Sequence, residues 1–247
     1  MRISFVIPAY NEEHYLPQCL TAIHRELTRM PCDAEVVVVN NASTDRTGEV
    51  ARAHTWVRVV DEPWKGMVRA RHAGFVVASG DLIANIDADT MMPEGWLETV
   101  LAEFERDERL AALSGPFIYH DLSLFHRALT RVWYAVAYLS HLINHHILRA
   151  GAMLQGGNFV VRRAHMEQIG GFDTSIEFYG EDTDVARRIS KVGKVKWTFR
   201  LPMYASGRRI ACEGMIATGL RYGSNYIYTL ARGKPLSVAY TDIREEV

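Results

Sequence analysis

Cysteine is scarce in this sequence. Cys19, Cys32 and Cys212 are odd in number, far apart, and form no CxxC or Cys/His metal spacing. That excludes a disulfide framework and a structural zinc site, and it points to a reducing, cytoplasmic setting. No apolar run reaches the roughly 18 residues of a membrane-spanning helix. The opening segment, Met1 to Pro8, has a short apolar run stopped by proline, without the long apolar stretch and small-residue cleavage site of a signal peptide, so it reads as a first strand. Charge of one sign is missing too. With 28 Lys and Arg against 29 Asp and Glu, the net charge of -1 provides no basic field to gather nucleic acid. Neither G-x-G-x-x-G nor G-x-x-x-x-G-K-[ST] occurs, so the dinucleotide and P-loop modes of phosphate binding lose their support.

What is present is alternation. Ile3–Ile7 reads as a buried strand, and Asn11–Met30 as a helix with Leu16, Leu20, Ile23 and Leu27 on one stripe. Glu35–Val39 is a valine-rich strand, and Ser43-Thr44-Asp45 offers a cap for a helix to about Ala53. Val57–Val60 is a strand, Met67–Ser79 a helix stopped by Gly80, and Leu82–Ile86 a strand opening into Asp87-Ala88-Asp89. This rhythm predicts an α/β fold, a mostly parallel sheet with helices on both faces. A helix from Pro93 to Arg106 and a strand at Leu110–Ser114 follow. Then come a long helix over Leu122–Arg149, a strand at Asn158–Arg162, a helix at Glu181–Val192, a strand at Val195–Phe199 and a glycine-interrupted helix at Cys212–Ala231. At 247 residues, without linker or repeat, one domain is expected: a nucleotide-binding half, 1–115, continuous with an acceptor-binding half, 116–247.

Ligands of an open parallel sheet bind beyond the carboxyl ends of its strands. Three polar exits lie there: Pro8-Ala9-Tyr10-Asn11-Glu12-Glu13, Asn40-Asn41-Ala42-Ser43-Thr44-Asp45 and Asp87-Ala88-Asp89-Thr90. Asp87 and Asp89 concentrate negative charge just past a buried strand. Hard oxygen ligands suit Mg²⁺ or Mn²⁺, which take one or two protein carboxylates and fill the remaining positions with water and phosphate. A bare DxD is otherwise a turn or helix cap. Lys65 and Arg71 offer cationic anchors for phosphate, the alternative for Arg71 being a solvated helix face, and Tyr10 offers a ring for stacking on a base. Asn158, Glu181, Asp182 and Asp184 form a second polar cluster. Acids at the start of a helix are favoured by its dipole, but the flanking glycines leave room for one of them to act as a general base.

In this order and spacing the segments resemble family-two glycosyltransferases of the GT-A fold, from Val6 to about Gly193. The segments are Val6-Ile7-Pro8-Ala9-Tyr10-Asn11-Glu12-Glu13, Val39 to Asp45, Ala70-Arg71-His72-Ala73-Gly74, Asp87-Ala88-Asp89, Gly157-Asn158-Phe159, Gly170-Gly171-Phe172-Asp173 and Glu181-Asp182. The resemblance implies an inverting, non-processive transfer of a sugar from a nucleotide diphosphate donor, with UDP favoured, to a hydroxyl of a saccharide or lipid-linked acceptor. By it, Pro8, Ala9, Tyr10, Glu12 and Asn41 would line the base and ribose pocket. Arg71 would approach the base or pyrophosphate, Asp87 and Ala88 the ribose, and Asp89, with Asp87, would hold Mg²⁺ or Mn²⁺. Asp182 would be the general base, with Glu181 and Asn158 beside donor sugar and acceptor.

The chain departs from the family where paired aspartates often stand, having Asn40 and Asn41, and an Asn41→Asp change is expected to keep or improve UDP binding. It has Met203-Tyr204-Ala205-Ser206-Gly207 where many members place a histidine metal ligand, and it lacks Q-x-x-R-W. The 122–149 helix carries Trp133, Tyr134, Tyr138 and four histidines, of which His141 and His145 share a face. Acceptor cleft, homodimer interface and peripheral contact with the inner face of a membrane are its three readings. Two rivals stand beside the transferase: a sugar-nucleotide pyrophosphorylase, which lacks its glycine-rich basic first loop here, and a non-catalytic nucleotide- or carbohydrate-binding protein.

Overall fold

The computed structural model describes residues 1–143, 153–237, 240 and 242–244. Its first half alternates β1 (Ile3–Ala9), α1 (Leu16–Arg29), β2 (Ala34–Asn41), α2 (Thr47–Arg52), β3 (Val57–Glu62), α3 (Met67–Val77) and β4 (Leu82–Ile86). The near-continuous apolar runs of β1, β2 and β4 suit strands covered on both faces, and their side chains are almost entirely buried. A two-residue β5 (Thr90–Met91), then α4 (Trp96–Arg106), β6 (Leu110–Ser114), β7 (Phe117–Tyr119) and α5 (Leu124–Ile143) follow. The chain resumes with β8 (Asn158–Arg162), α6 (Arg163–Gln168), α7 (Glu181–Ile189), β9 (Lys194–Trp197), β10 (Met203–Ala205), α8 (Arg208–Glu213) and α9 (Met215–Arg232).

Seven strands form one sheet in the order β3-β2-β1-β4-β8-β6-β9, and β5-β10-β7 form a small second sheet. The large sheet is parallel except for β8, which runs antiparallel to both β4 and β6. That one reversal positions the site. Ala9 lies opposite Asn40, and Asn41 opposite Glu62, so β1, β2 and β3 leave the sheet along one edge. Ile86 lies opposite Asn158 at that same edge, so the turn entering β8 sits beside the turn leaving β4.

Two main cores flank the sheet. One joins Phe5, Ile7, Leu20 and Trp96 to Val160, Leu201 and Met203, and the other joins Val6, Phe75 and Ile83 to Phe159, Phe172 and Val185. Each draws on residues from both sides of position 115. Helix α1 begins at Leu16 and not at Asn11, because residues 11–15 are spent on a turn in which Asn11 has φ +50°. The single helix expected over 212–231 is two, parted at Gly214, whose φ of +81° a helix does not accommodate. In the 122–149 helix, residues 144–149 lie outside the described residues, and His145 and His146 with them.

Candidate functional site

The exits of β1 and β2 are locked to each other by side chains acting on backbone. Asn11 Oδ1 accepts from the Thr44 amide at 2.8 Å, Thr47 Oγ1 from the Glu12 amide at 2.7 Å, and Asp45 from the amides of Glu13 (3.1 Å) and Thr47 (2.9 Å). Ser43-Thr44-Asp45, read from sequence as a helix cap, therefore serves chiefly as a cross-link between two strand-exit loops. It aims Glu12 inward.

There Glu12 Oε1 accepts from Arg244 Nε at 2.7 Å and from Arg208 Nη2, while its Oε2 is buried without a hydrogen-bond partner. Arg208 Nη2 also lies 3.0 Å from Asp89 Oδ2. Burial, reinforced by the neighbouring Glu12 and Asp87 carboxylates and opposed by Arg208, pushes the Asp89 carboxyl up to about 6. Arg208 and Arg244 were missed in the sequence. The signal available for Arg208 was three acids at the strand exits in need of a cation, and the Gly207-Arg208-Arg209 segment just past a strand.

Arg71 is 1% exposed, so a solvated helix face is excluded. Its Nη2 donates to Asp87 Oδ1 at 2.7 Å and its Nη1 to Glu181 Oε1, tying the exit of β4 to the start of α7. Burial lifts the Glu181 carboxyl to about 8, with Arg71 opposing and Asp182 and Asp87 adding repulsion. The three acids of α7 part company here. Asp184 is buried and spent on Arg187 (3.1 Å) and Arg188 (2.7 Å). Asp182 Oδ2 accepts from the Gly156 amide at 3.0 Å and its Oδ1 from the Thr183 amide at 2.7 Å, and burial raises its carboxyl above the ordinary value.

Gly156 and Gly157 form the partition between the carboxylate at the exit of β4 and those of α7. A Cβ on Gly157 would lie 2.1 Å from Asp87 Oδ2, and φ there is +79°. A Cβ on Gly156 would lie 3.1 Å from Glu181 Oε1 and 3.4 Å from Asp182 Oδ2. Only glycine lets Asp87, Glu181 and Asp182 come together around one turn.

Other expected site residues are placed differently. Asn158 is fully buried in the sheet: its Oδ1 accepts from Trp96 Nε1 at 3.0 Å and its Nδ2 donates to the carbonyls of Leu201 (2.9 Å) and Gly115 (3.1 Å). Asn41 spends its amide on the loop after β3, donating to the Trp64 carbonyl at 2.7 Å and accepting from the Gly66 amide at 2.8 Å. Tyr10 lies under Lys65, whose Nζ is 4.1 Å from the ring centroid and 2.6 Å from Asp242. Ala9 and Ala88 are buried, and Pro8 is half-buried in β1.

No set of three His, Cys, Asp or Glu side chains that could hold a metal occurs among the described residues. The oxygen-only donors Asp87 and Asp89, with Glu12 carrying an orphaned buried oxygen, fit an ion that takes one or two protein carboxylates and completes its shell with diphosphate and water. His141 belongs to α5, and its expected partner His145 lies outside the described residues.

The parallel sheet thus sets carboxylates at one strand edge against a carboxylate-bearing helix across the Gly156-Gly157 turn. The pattern of glycosyl transferase family 2 matches residues 4–170, and the chain belongs to that family. A second pattern, the N-terminal domain of galactosyltransferase, matches residues 139–207. The chain is 28% identical over 214 residues to a probable glycosyltransferase, YdaM, of Bacillus subtilis, covering 78% of this chain and 47% of that protein. It is 28% identical over 200 residues to a chondroitin synthase of Pasteurella multocida, covering 78% of this chain and 19% of that protein. It thus spans less than half the length of these relatives. Among solved structures it resembles a mannosyltransferase of Pyrobaculum calidifontis in complex with GDP-Man and Mn²⁺, with a TM-score of 0.71, 21% identity, and 93% of this chain and 62% of that one covered. It also resembles the glucosyl-3-phosphoglycerate synthase of Mycobacterium tuberculosis in complex with Mn²⁺, UDP-glucose and phosphoglyceric acid, with a TM-score of 0.63, 20% identity, and 96% and 81% covered. The fold is GT-A.

Proposed function

We propose that this chain is an inverting glycosyltransferase that moves a sugar from a nucleotide diphosphate donor, UDP-linked, to a hydroxyl of a saccharide or lipid-linked acceptor. The observation that carries the reading is the convergence of Asp87 and Asp182 on the two glycines of one turn, which sets donor-side and acceptor-side carboxylates next to each other. Neither a pyrophosphorylase nor a binding module calls for a base at the second position.

Asp89, with Asp87 beside it, would hold Mg²⁺ or Mn²⁺, whose charge stabilises the departing diphosphate. Tyr10 and Lys65 would take the base and ribose, and Arg71 holds Asp87 in place. Asp182 accepts the proton of the acceptor hydroxyl as that oxygen attacks the anomeric carbon. The bond to the diphosphate breaks on the opposite side and its electron pair leaves with the phosphate, so one displacement inverts the anomeric centre. Ionised Asp182 is the working form.

Thermal denaturation with UDP in the presence of Mn²⁺ or of EDTA tests the donor side, because a ligand bound only by the folded state raises the midpoint. Stabilisation that needs Mn²⁺ and is lost in Asp89→Ala is expected. Equal stabilisation by UDP in EDTA would remove the metal from the reading.

A further inference from the structure

Helix α9 is amphipathic the wrong way round for a surface helix in water. Its inward side is polar: Thr218, Asn225 and Thr229 are buried, and Thr229 Oγ1 lies 2.6 Å from where a Cβ on Gly180 would stand, at the start of the helix bearing Glu181 and Asp182. Its outward stripe is apolar. Ile216, Leu220 and Ile227, spaced to share one face, are 76%, 67% and 68% exposed. Helix α5 lies alongside, with the Trp133 ring 3.6 Å from the Cβ positions of Gly219 and Gly223, and it presents Leu124, Phe125, Leu129 and Val132 to the outside. Phe125 and Leu129 meet Met215 and Ile216 in a shared apolar notch. Two elements therefore expose one continuous apolar face, which in a water-facing protein marks an interaction surface.

Charge identifies the occupant. Neither α5 (Leu124–Ile143) nor α9 contains a single Asp or Glu, whereas they carry Arg127, Arg131 and Arg232, besides Arg221, which is spent on Glu213. The acids at the margin are engaged: Asp121 accepts from Ser206 and Gly207, and Glu213 is paired with Arg209 and Arg221. A second copy would have to meet this face with the same face, setting arginines against arginines. A sheet of anionic phospholipid headgroups complements it, and half-exposed Trp133 and Tyr228 supply aromatic rings suited to that boundary. No helix among the described residues is long and apolar enough to cross a membrane, so the geometry is that of lying on it.

We infer that the outward face of α5 and α9 docks the protein on an anionic bilayer surface. The inference deepens the acceptor half of the proposed function, because α9 is the element packed behind the turn that precedes Asp182, and a bilayer at its outer face brings lipid-linked hydroxyls to that side of the site.

Co-sedimentation with phosphatidylcholine vesicles, and with vesicles that also contain phosphatidylglycerol, tests the docking without any sugar transfer, so its failure and that of the transferase reading are told apart. Binding to the phosphatidylglycerol vesicles that weakens as salt is raised is expected. Leu220→Ser with Ile227→Ser should lower that binding about tenfold or more, since two exposed aliphatic side chains lose their burial. Arg131→Glu should weaken it without touching the site. The three substituted side chains being exposed, unchanged thermal midpoints are expected for these variants. Absence of vesicle binding would overturn the inference. So would a concentration-dependent dimer, seen in sedimentation velocity, that the double serine variant dissolves and that vesicles do not compete with.

Discussion

Asp182 separates chemistry from architecture more cleanly than any other side chain of the site. Its carboxylate is held by the Gly156 and Thr183 amides and not by a cation. Asp182→Asn keeps the size and removes the basicity, so transfer at saturating donor should fall by roughly 10²–10⁴ with donor affinity nearly unchanged. A helix cap alone would cost about 1 kcal/mol of stability and leave turnover near normal. Because burial raises the Asp182 carboxyl above its ordinary 3.8, the ionised form that the proposed base role needs is lost at higher pH than for an exposed aspartate. The acidic limb of the rate profile is therefore expected above that value and absent in the asparagine variant. At Asn41 the structure reverses the expectation from sequence. A carboxylate there would face the Trp64 and Glu62 carbonyl oxygens in place of two donated hydrogen bonds, so Asn41→Asp should destabilise the loop bearing Lys65 by about 1–3 kcal/mol and weaken UDP binding, read by melting and titration calorimetry.

At the scale of elements, the Gly156-Gly157 turn is the piece that cannot be exchanged. Gly157→Ala places a methyl 2.1 Å from Asp87 Oδ2 at a φ of +79°, so Asp87 must leave Arg71. Loss of UDP-dependent stabilisation together with a lowered midpoint is the expected result of a melting experiment, where a merely flexible turn would move only slightly. The strands that read correctly from sequence were those whose apolar runs are bounded by turn residues: β4, β6 and β8 have the expected limits. The small sheet was not legible, since β5, β7 and β10 have two or three residues each and no period can show in so few. Glu12, Asp87 and Asp89 could be singled out because they sit at the exits of β1 and β4, whereas Glu181 and Asp182, at the start of α7, and Arg71, inside α3, drew attention through their glycine-flanked or cationic setting and the family resemblance. The contribution of Asp242 and Arg244 was not legible: Asp242 on Lys65 and Arg244 on Glu12 are pairings at sequence separations that no local pattern records.

Across the whole molecule, Arg71 is one tie between the residues before and after position 115, reaching Asp87 and Glu181, beside those that Arg208 and Arg244 make to Glu12. Both main cores also draw on both halves, which leads to the expectation that calorimetry shows one cooperative unfolding transition for the intact chain. Arg71→Met puts this to a sharper test. Removing one partner of a buried ion pair leaves uncompensated charge, a loss of about 3–5 kcal/mol at most pH values where the acids are ionised. Its pH dependence has a definite sign. Glu181 already has its carboxyl raised from 4.5 to about 8 by burial, so between those values the folded state holds a proton that the unfolded state has released. Stability from this group therefore falls as pH rises through that window. Without Arg71, whose charge opposes the rise, the carboxyl goes higher still, and the variant should recover part of its lost stability as pH is lowered from 8 toward 5. Thermal midpoints of both proteins across that range check the expectation. A difference between them that stays constant with pH would mean that Arg71 acts through the packing of its side chain, whose guanidinium carbon lies 5.6 Å from the Phe159 ring centroid, and not through the charge it shares with Glu181 and Asp87.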